Sequence, residues 1–242
     1  MSNGKRISVF LTVTLLVLLA RPVFELYEEG KKALSEDPTV YEQDILAFEQ
    51  QDRSNHPPEN AVVFAGSSSI RLWNTLKKDM APIPVIQRGF GGAKINDVVH
   101  YAERIINRYR PRAVVIFAGT NDITPRNNKP PEKILASYKE LVGRIRAELP
   151  ATPIYFIAIT PSPSRWKVWQ IAEQANELIA HYSAEDANLH IFDTGKTLMN
   201  EEGEPDRRNY IFDGLHLSAR GYEQWTSVIK PELLKLYPEL GE

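Results

Sequence analysis

Ala61-Val-Val-Phe-Ala-Gly-Ser-Ser-Ser-Ile70 is the stretch whose reading decides the fold. Its first half is a short, continuous apolar run. That pattern suits a parallel strand covered on both faces, not the alternating pattern of a half-exposed strand. Its second half turns abruptly polar at Gly66 and leads into a helical pattern, as at the carboxyl end of a strand in a βα unit. Four more runs of this kind follow: Pro84–Gln87, Ala113–Ala118, Ile154–Ile159 and Leu189–Phe192. Helical patterns separate them, near 69–79, 95–109, 131–148, 166–183 and 219–236. In the third of these, Ile134, Leu135, Tyr138, Leu141, Val142 and Ile145 share one face. Alternation of this kind implies an α/β fold. We expect a three-layer α/β/α, flavodoxin-like, doubly wound sheet of about five parallel strands joined by right-handed crossovers.

Upstream, Tyr41, Ile45 and Phe48 recur at helical spacing, and His56-Pro-Pro-Glu-Asn60 interrupts the chain before the first strand. The domain reading is therefore an amino-terminal segment over 1–24, a helical lead-in over 25–60 and one catalytic domain over 61–242. Lys5 and Arg6 precede an uncharged, mostly apolar run over 7–20. A basic stretch before a short apolar core is the layout of an export signal. Arg21-Pro22 follows at once without a small-x-small cleavage site. The segment fits a removed signal peptide and an uncleaved membrane anchor alike, and both place the domain outside the cytoplasm.

The 242 residues suffice for one large core. The net charge of -2 argues against a nucleic-acid partner. The chain contains no cysteine, which removes disulfides, a thiolate nucleophile and zinc–thiolate sites. His-x-His and His-Glu-x-x-His spacings are absent, so no metal site is expected. Gly89-Phe-Gly-Gly92 places Lys94 where a dinucleotide fingerprint needs its third glycine, so that reading fails.

Ligands of doubly wound sheets bind outside the carboxyl ends of the strands. Three segments fall there. Gly66-Ser-Ser-Ser69 offers hydroxyls, and Gly119-Thr-Asn-Asp122 offers a neutral amide. Asp213-Gly-Leu-His216 offers a carboxylate and an imidazole three residues apart. Each has an ordinary use as well: serines cap helices, and Asn and Asp populate turns. Together they supply a nucleophile, a base, an acid to orient the base and a donor for an oxyanion, the set that serine acyl transfer requires. Asp122 is assigned a turn or capping role. Of the five histidines, only His216 lies in a polar loop beside such a carboxylate, and His190 reads as structural.

These segments resemble the SGNH hydrolases, also called the GDSL lipase/esterase family, from about Ala61 to Leu236. The pattern is nearest the branch similar to the platelet-activating-factor acetylhydrolase catalytic subunits. Gly66-Ser-Ser68 is similar to the family's Gly-Asp-Ser block, with Ser67 at the Asp position, which carries no catalytic group. The resemblance implies Ser68 as nucleophile, His216 as base and Asp213 as its orienting acid. It implies an oxyanion hole built from Ser68 N–H, Gly92 N–H and the Asn121 amide. No cofactor is implied. The expected substrate is a small-molecule, glycan or lipid ester, with short acyl groups favoured. A lysophospholipase-like lipid esterase and a non-catalytic envelope binding module are the alternatives. Trp166 and Trp169, after the fourth strand, fit a substrate-lining role or a packed helix face.

Overall fold

The computed structural model describes residues 27–126 and 128–240. Five strands form one parallel sheet: β1 (Val62–Gly66), β2 (Val85–Gly89), β3 (Ala113–Phe117), β4 (Ile154–Ile157) and β5 (Leu189–Phe192). Their order is β2-β1-β3-β4-β5. The chain runs outward from β1 to one edge and then returns past it to the other. The winding reverses between β1 and β3, so the connections leaving their carboxyl ends pass to opposite faces of the sheet, the switch point at which such folds place a crevice.

Neighbouring residues of a strand point to opposite faces. Val62 and Phe64 enter one core layer, while Val63 and Ala65 enter the other. The first layer is closed by three helices: α2 (Ser68–Arg71), α3 (Leu76–Met80) and α7 (Ala219–Leu234). The second is closed by α1 (Glu42–Ser54), α4 (Ile95–Ile105), α5 (Pro131–Arg146) and α6 (Trp169–Ser183). On α4, Ile95, Val98, Ala102 and Ile105 make the buried stripe. On α7 it is Tyr222, Trp225, Ile229 and Leu233.

Three expected helices differ from those observed. The helix expected over 69–79 is two short helices, Ser68–Arg71 and Leu76–Met80. The break lets Trp73 drop into the core, where it stacks on Tyr222 at 5.1 Å and meets Phe64 and Trp225 edge-on. Its indole N–H still finds an acceptor, Asp79 Oδ2, at 2.7 Å. Burying one large aromatic outweighs the few hydrogen bonds of an unbroken helix. The helix expected over 95–109 ends at Ile105 and continues as a 3-10 turn, Asn107–Tyr109. That expected over 166–183 begins at Trp169, after a 3-10 stretch over Pro163–Val168.

The lead-in is helical over 27–34 and again over α1. Tyr41 and Ile45 are fully buried in the second core layer. Asp52 on α1 pairs with Arg88 on β2, both buried, and accepts a 2.5 Å hydrogen bond from the Tyr109 hydroxyl. Among the described residues, no helix is long and apolar enough to cross a membrane. The basic and apolar run over 5–20 lies outside the described residues.

Gly66 ends β1 with φ +141°, and a Cβ there would lie 2.0 Å from the Phe117 carbonyl oxygen. Only glycine allows β1 to turn this close to β3. Gly66→Ala is expected to cost more than about 3 kcal/mol in urea unfolding. A loss under about 1 kcal/mol would show that the two strand ends can separate without penalty.

Candidate active site

Ser68 is the first residue of α2, directly past the Gly66 turn. Ser67 N–H donates to the Phe117 carbonyl at 2.9 Å, which locks the turn against β3. The Ser68 N–H, at the first helical position, has no intrahelical acceptor. Ser67, Ser68 and Ser69 are all buried, but it is the Ser68 hydroxyl that meets an imidazole: Oγ lies 2.8 Å from His216 Nε2.

His216 comes from a loop 148 residues further along the chain. An antiparallel bridge between Tyr210 and Leu217 closes that loop, and Ile211 N–H donates to the His216 carbonyl at 2.9 Å. Inside it, Asp213 Oδ1 accepts from Leu215 N–H at 2.8 Å and His216 N–H at 3.0 Å. Asp213 Oδ2 lies 2.6 Å from His216 Nδ1. One carboxylate thus both closes the turn and orients the ring. Burial pushes the Asp213 carboxyl up, but the hydrogen bonds from the His216 ring and the two N–H groups outweigh it. The net position is below the ordinary value.

The loop after β2, Gly89–Lys94, is tied to the end of β1 by Phe90 N–H, which donates to the Gly66 carbonyl at 3.0 Å. Gly92 is buried and adopts φ +82°, a left-handed conformation that glycine takes without strain. Asn121, past β3, donates one amide hydrogen to the Ala93 carbonyl at 3.0 Å. A primary amide has two, so the second remains for another acceptor. Asp122 is buried and accepts from Ile95 N–H at 3.1 Å and Lys129 Nζ at 2.8 Å. Its capping role is as expected. Burial pushes its carboxyl up, against the Lys129 charge.

A small cleft at Ser68 is walled by Phe117, Thr120, Asn121, Thr160, Ser162 and Leu215. Ser162 belongs to the Pro161–Ser164 loop after β4, whose place at the strand's carboxyl end fits a lining role, and Leu215 lies inside the Asp213–His216 motif; Thr160 carries no signal in the sequence beyond following β4. The two tryptophans stand elsewhere. They stack on each other at 6.3 Å, and Trp169 packs on the core and lines a separate pocket with Pro161, Glu173 and Asp193. His190 stacks on Tyr155 at 4.5 Å in β5, remote from the Ser68 cleft.

Residues 60–224 match the GDSL-like lipase/acylhydrolase family. This chain belongs to that family. It is an ester hydrolase. Its relatives include the isoamyl acetate-hydrolyzing esterase 1 homolog of Rattus norvegicus, 29% identical over 62% of this chain and 70% of that one. Among solved structures, a GDSL-like lipase from Bacteroides thetaiotaomicron superposes with TM-score 0.66 at 19% identity, covering 79% of this chain and 97% of that one. A lipase/acylhydrolase from Enterococcus faecalis gives TM-score 0.58 at 22% identity, covering 72% and 95%.

Asp97, which receives the Lys94 N–H at 2.8 Å, titrates at about 6 in the folded family member because burial disfavours its charge. The unfolded chain ionises it near 3.8, so the contribution of Asp97 to stability falls as pH rises between 3.8 and about 6 and is level above. Asp97→Asn is expected to flatten that part of the pH profile of the urea midpoint. An unchanged profile would mean that Asp97 titrates alike in the folded and the unfolded chain.

Proposed function

We propose that this acylhydrolase is a serine esterase for short-chain acyl esters, with Ser68, His216 and Asp213 as its triad. The observation that carries this reading is the unbroken line from Asp213 Oδ2 through the His216 ring to Ser68 Oγ, with contacts of 2.6 and 2.8 Å. Ser68 Oγ attacks the ester carbonyl while His216 Nε2 takes its proton. Asp213 holds the ring in the tautomer that leaves Nε2 free and stabilises the imidazolium. Ser68 N–H, Gly92 N–H and the second Asn121 amide hydrogen receive the oxyanion. His216 then protonates the departing alkoxide, leaving an acyl-Ser68. Water, deprotonated by His216, attacks that ester and releases the acid.

Two observations support a short acyl group. The cleft at Ser68 is small, with Phe117 and Leu215 among its walls. The rat relative is named for hydrolysing an acetate ester. Phe212, 88% exposed beside Asp213, favours lipid esters as the second reading. The run over 5–20 supports placing the domain outside the cytoplasm, and externally added protease should then reach it in cells or spheroplasts expressing the full chain. Protection from protease would overturn that placement.

On p-nitrophenyl esters, acetate and butyrate should exceed octanoate and laurate in kcat/KM by at least about tenfold. A preference for laurate would move the assignment to lipid esters. Ser68→Ala should abolish turnover, and Asp213→Asn should lower kcat by about 10⁴ with the fold intact. Asn121→Ala should lower it by about 10² to 10³. Full activity in Ser68→Ala would overturn the triad.

A further inference from the structure

The Gly89–Lys94 loop contains three glycines and is held from two sides. From within the domain come the Asn121 bond to Ala93 and the Asp122 bond to Ile95. From outside comes the amino-terminal stretch. A Cβ on Gly91 would lie 2.0 Å from the Glu29 carboxyl carbon. One on Gly92 would lie 2.7 Å from the Glu29 carbonyl oxygen and 3.1 Å from Ala33 Cβ. The two glycines are therefore packed directly beneath Glu29.

Glu29 is itself anchored. Its carboxylate pairs with Arg71 Nη2, on the nucleophile's own helix, three residues past Ser68. Two residues beyond Gly92, the buried Lys94 ammonium donates to the Ser35 carbonyl and to Glu36 Oε1 at 2.8 Å. Lys32 pairs with Asp44 on α1 at 2.6 Å, and Tyr41 packs edge-on against Phe90 at 5.0 Å. The stretch over 27–41 thus grips the glycine loop at Phe90, Gly91, Gly92 and Lys94.

A backbone donor works only while it stays aimed at the developing charge, and a shift of about 1 Å can cost a hundredfold in rate. The left-handed Gly92 has no side chain to hold it. We propose that Glu29, paired with Arg71, is a positioning residue of the active site that clamps Gly91–Gly92 and keeps the Gly92 N–H directed at the substrate oxyanion. The proposal rests on Gly92 serving as an oxyanion donor. It makes the lead-in a working part of the catalytic domain: the Glu29–Arg71 pair joins the donor loop to the helix that carries Ser68, so donor and nucleophile move as one unit.

The test uses full-length Glu29→Gln, Arg71→Gln and the double variant on p-nitrophenyl acetate. Active sites are titrated to completion with a fluorophosphonate, so that only folded, Ser68-reactive enzyme is counted. Each single variant should lose about tenfold to hundredfold in kcat, with KM within about twofold. Affinity for phenylboronic acid, which forms a tetrahedral adduct on serine, should fall by a similar factor. The double variant should be no worse than the poorer single one, because both break one contact. Unchanged kcat would overturn the proposal. So would a rise in KM alone, which would make Glu29 a substrate contact, or losses that multiply in the double variant. Ser68→Ala, assayed alongside, separates the two readings. If it is inactive while Glu29→Gln is normal, the clamp alone fails. If it is active, the site assignment fails.

Discussion

The rest of this structure depends on the contact between the end of β1 and the end of β3. Gly66 presses against the Phe117 carbonyl, and Ser67 N–H hydrogen-bonds to the same oxygen. That junction is where the sheet's winding reverses. It sets the direction in which the chain leaves β1, and so the position of Ser68 at the head of the crevice. It also brings the loop after β3 beside the loop after β2, which carries Asn121 to Ala93. A side chain at Gly66 would force the two strand ends apart and separate Ser68 from the loops after β2 and β3.

Around this junction three buried or half-buried carboxylates hold the backbone in place. Asp213 satisfies two backbone N–H groups with one oxygen and orients His216 with the other. Asp122 and Asp97, both buried, each accept a backbone N–H at the start of α4. Their desolvation raises their pKa values, a cost to folding that the structure bears in order to fix the loop after β2. Carboxylates placed this way trade some stability for rigidity of the loop they hold.

The lead-in extends the same logic. Its buried Tyr41 and Ile45 belong to the core, and its Asp52 neutralises the buried Arg88. Its first helical turns press on Gly91 and Gly92 in the loop after β2. Removing it would expose apolar surface, strand a buried guanidinium and free the loop at once. Breaking a buried pair in this way is costly because one charge is left uncompensated.

The sequence by itself determined the fold class, because five continuous apolar runs alternating with helical patterns have few other ways to bury both faces. Local spacing also marked the serine run after β1, Asn121, Asp213 and His216, since strand ends, polar turns and a three-residue carboxylate–imidazole pair are written in adjacent residues. Only the tertiary structure decided which of three consecutive serines meets His216, because that depends on a contact spanning 148 residues. It likewise decided that Trp73 breaks a helix to enter the core, that Ser162 and Leu215 wall the cleft while Trp169 does not, and that Glu29 sits on Gly91. Local pattern records what each segment does for itself. Which distant surfaces end up sharing a few ångströms is settled by packing, and packing has no address in any single stretch of chain.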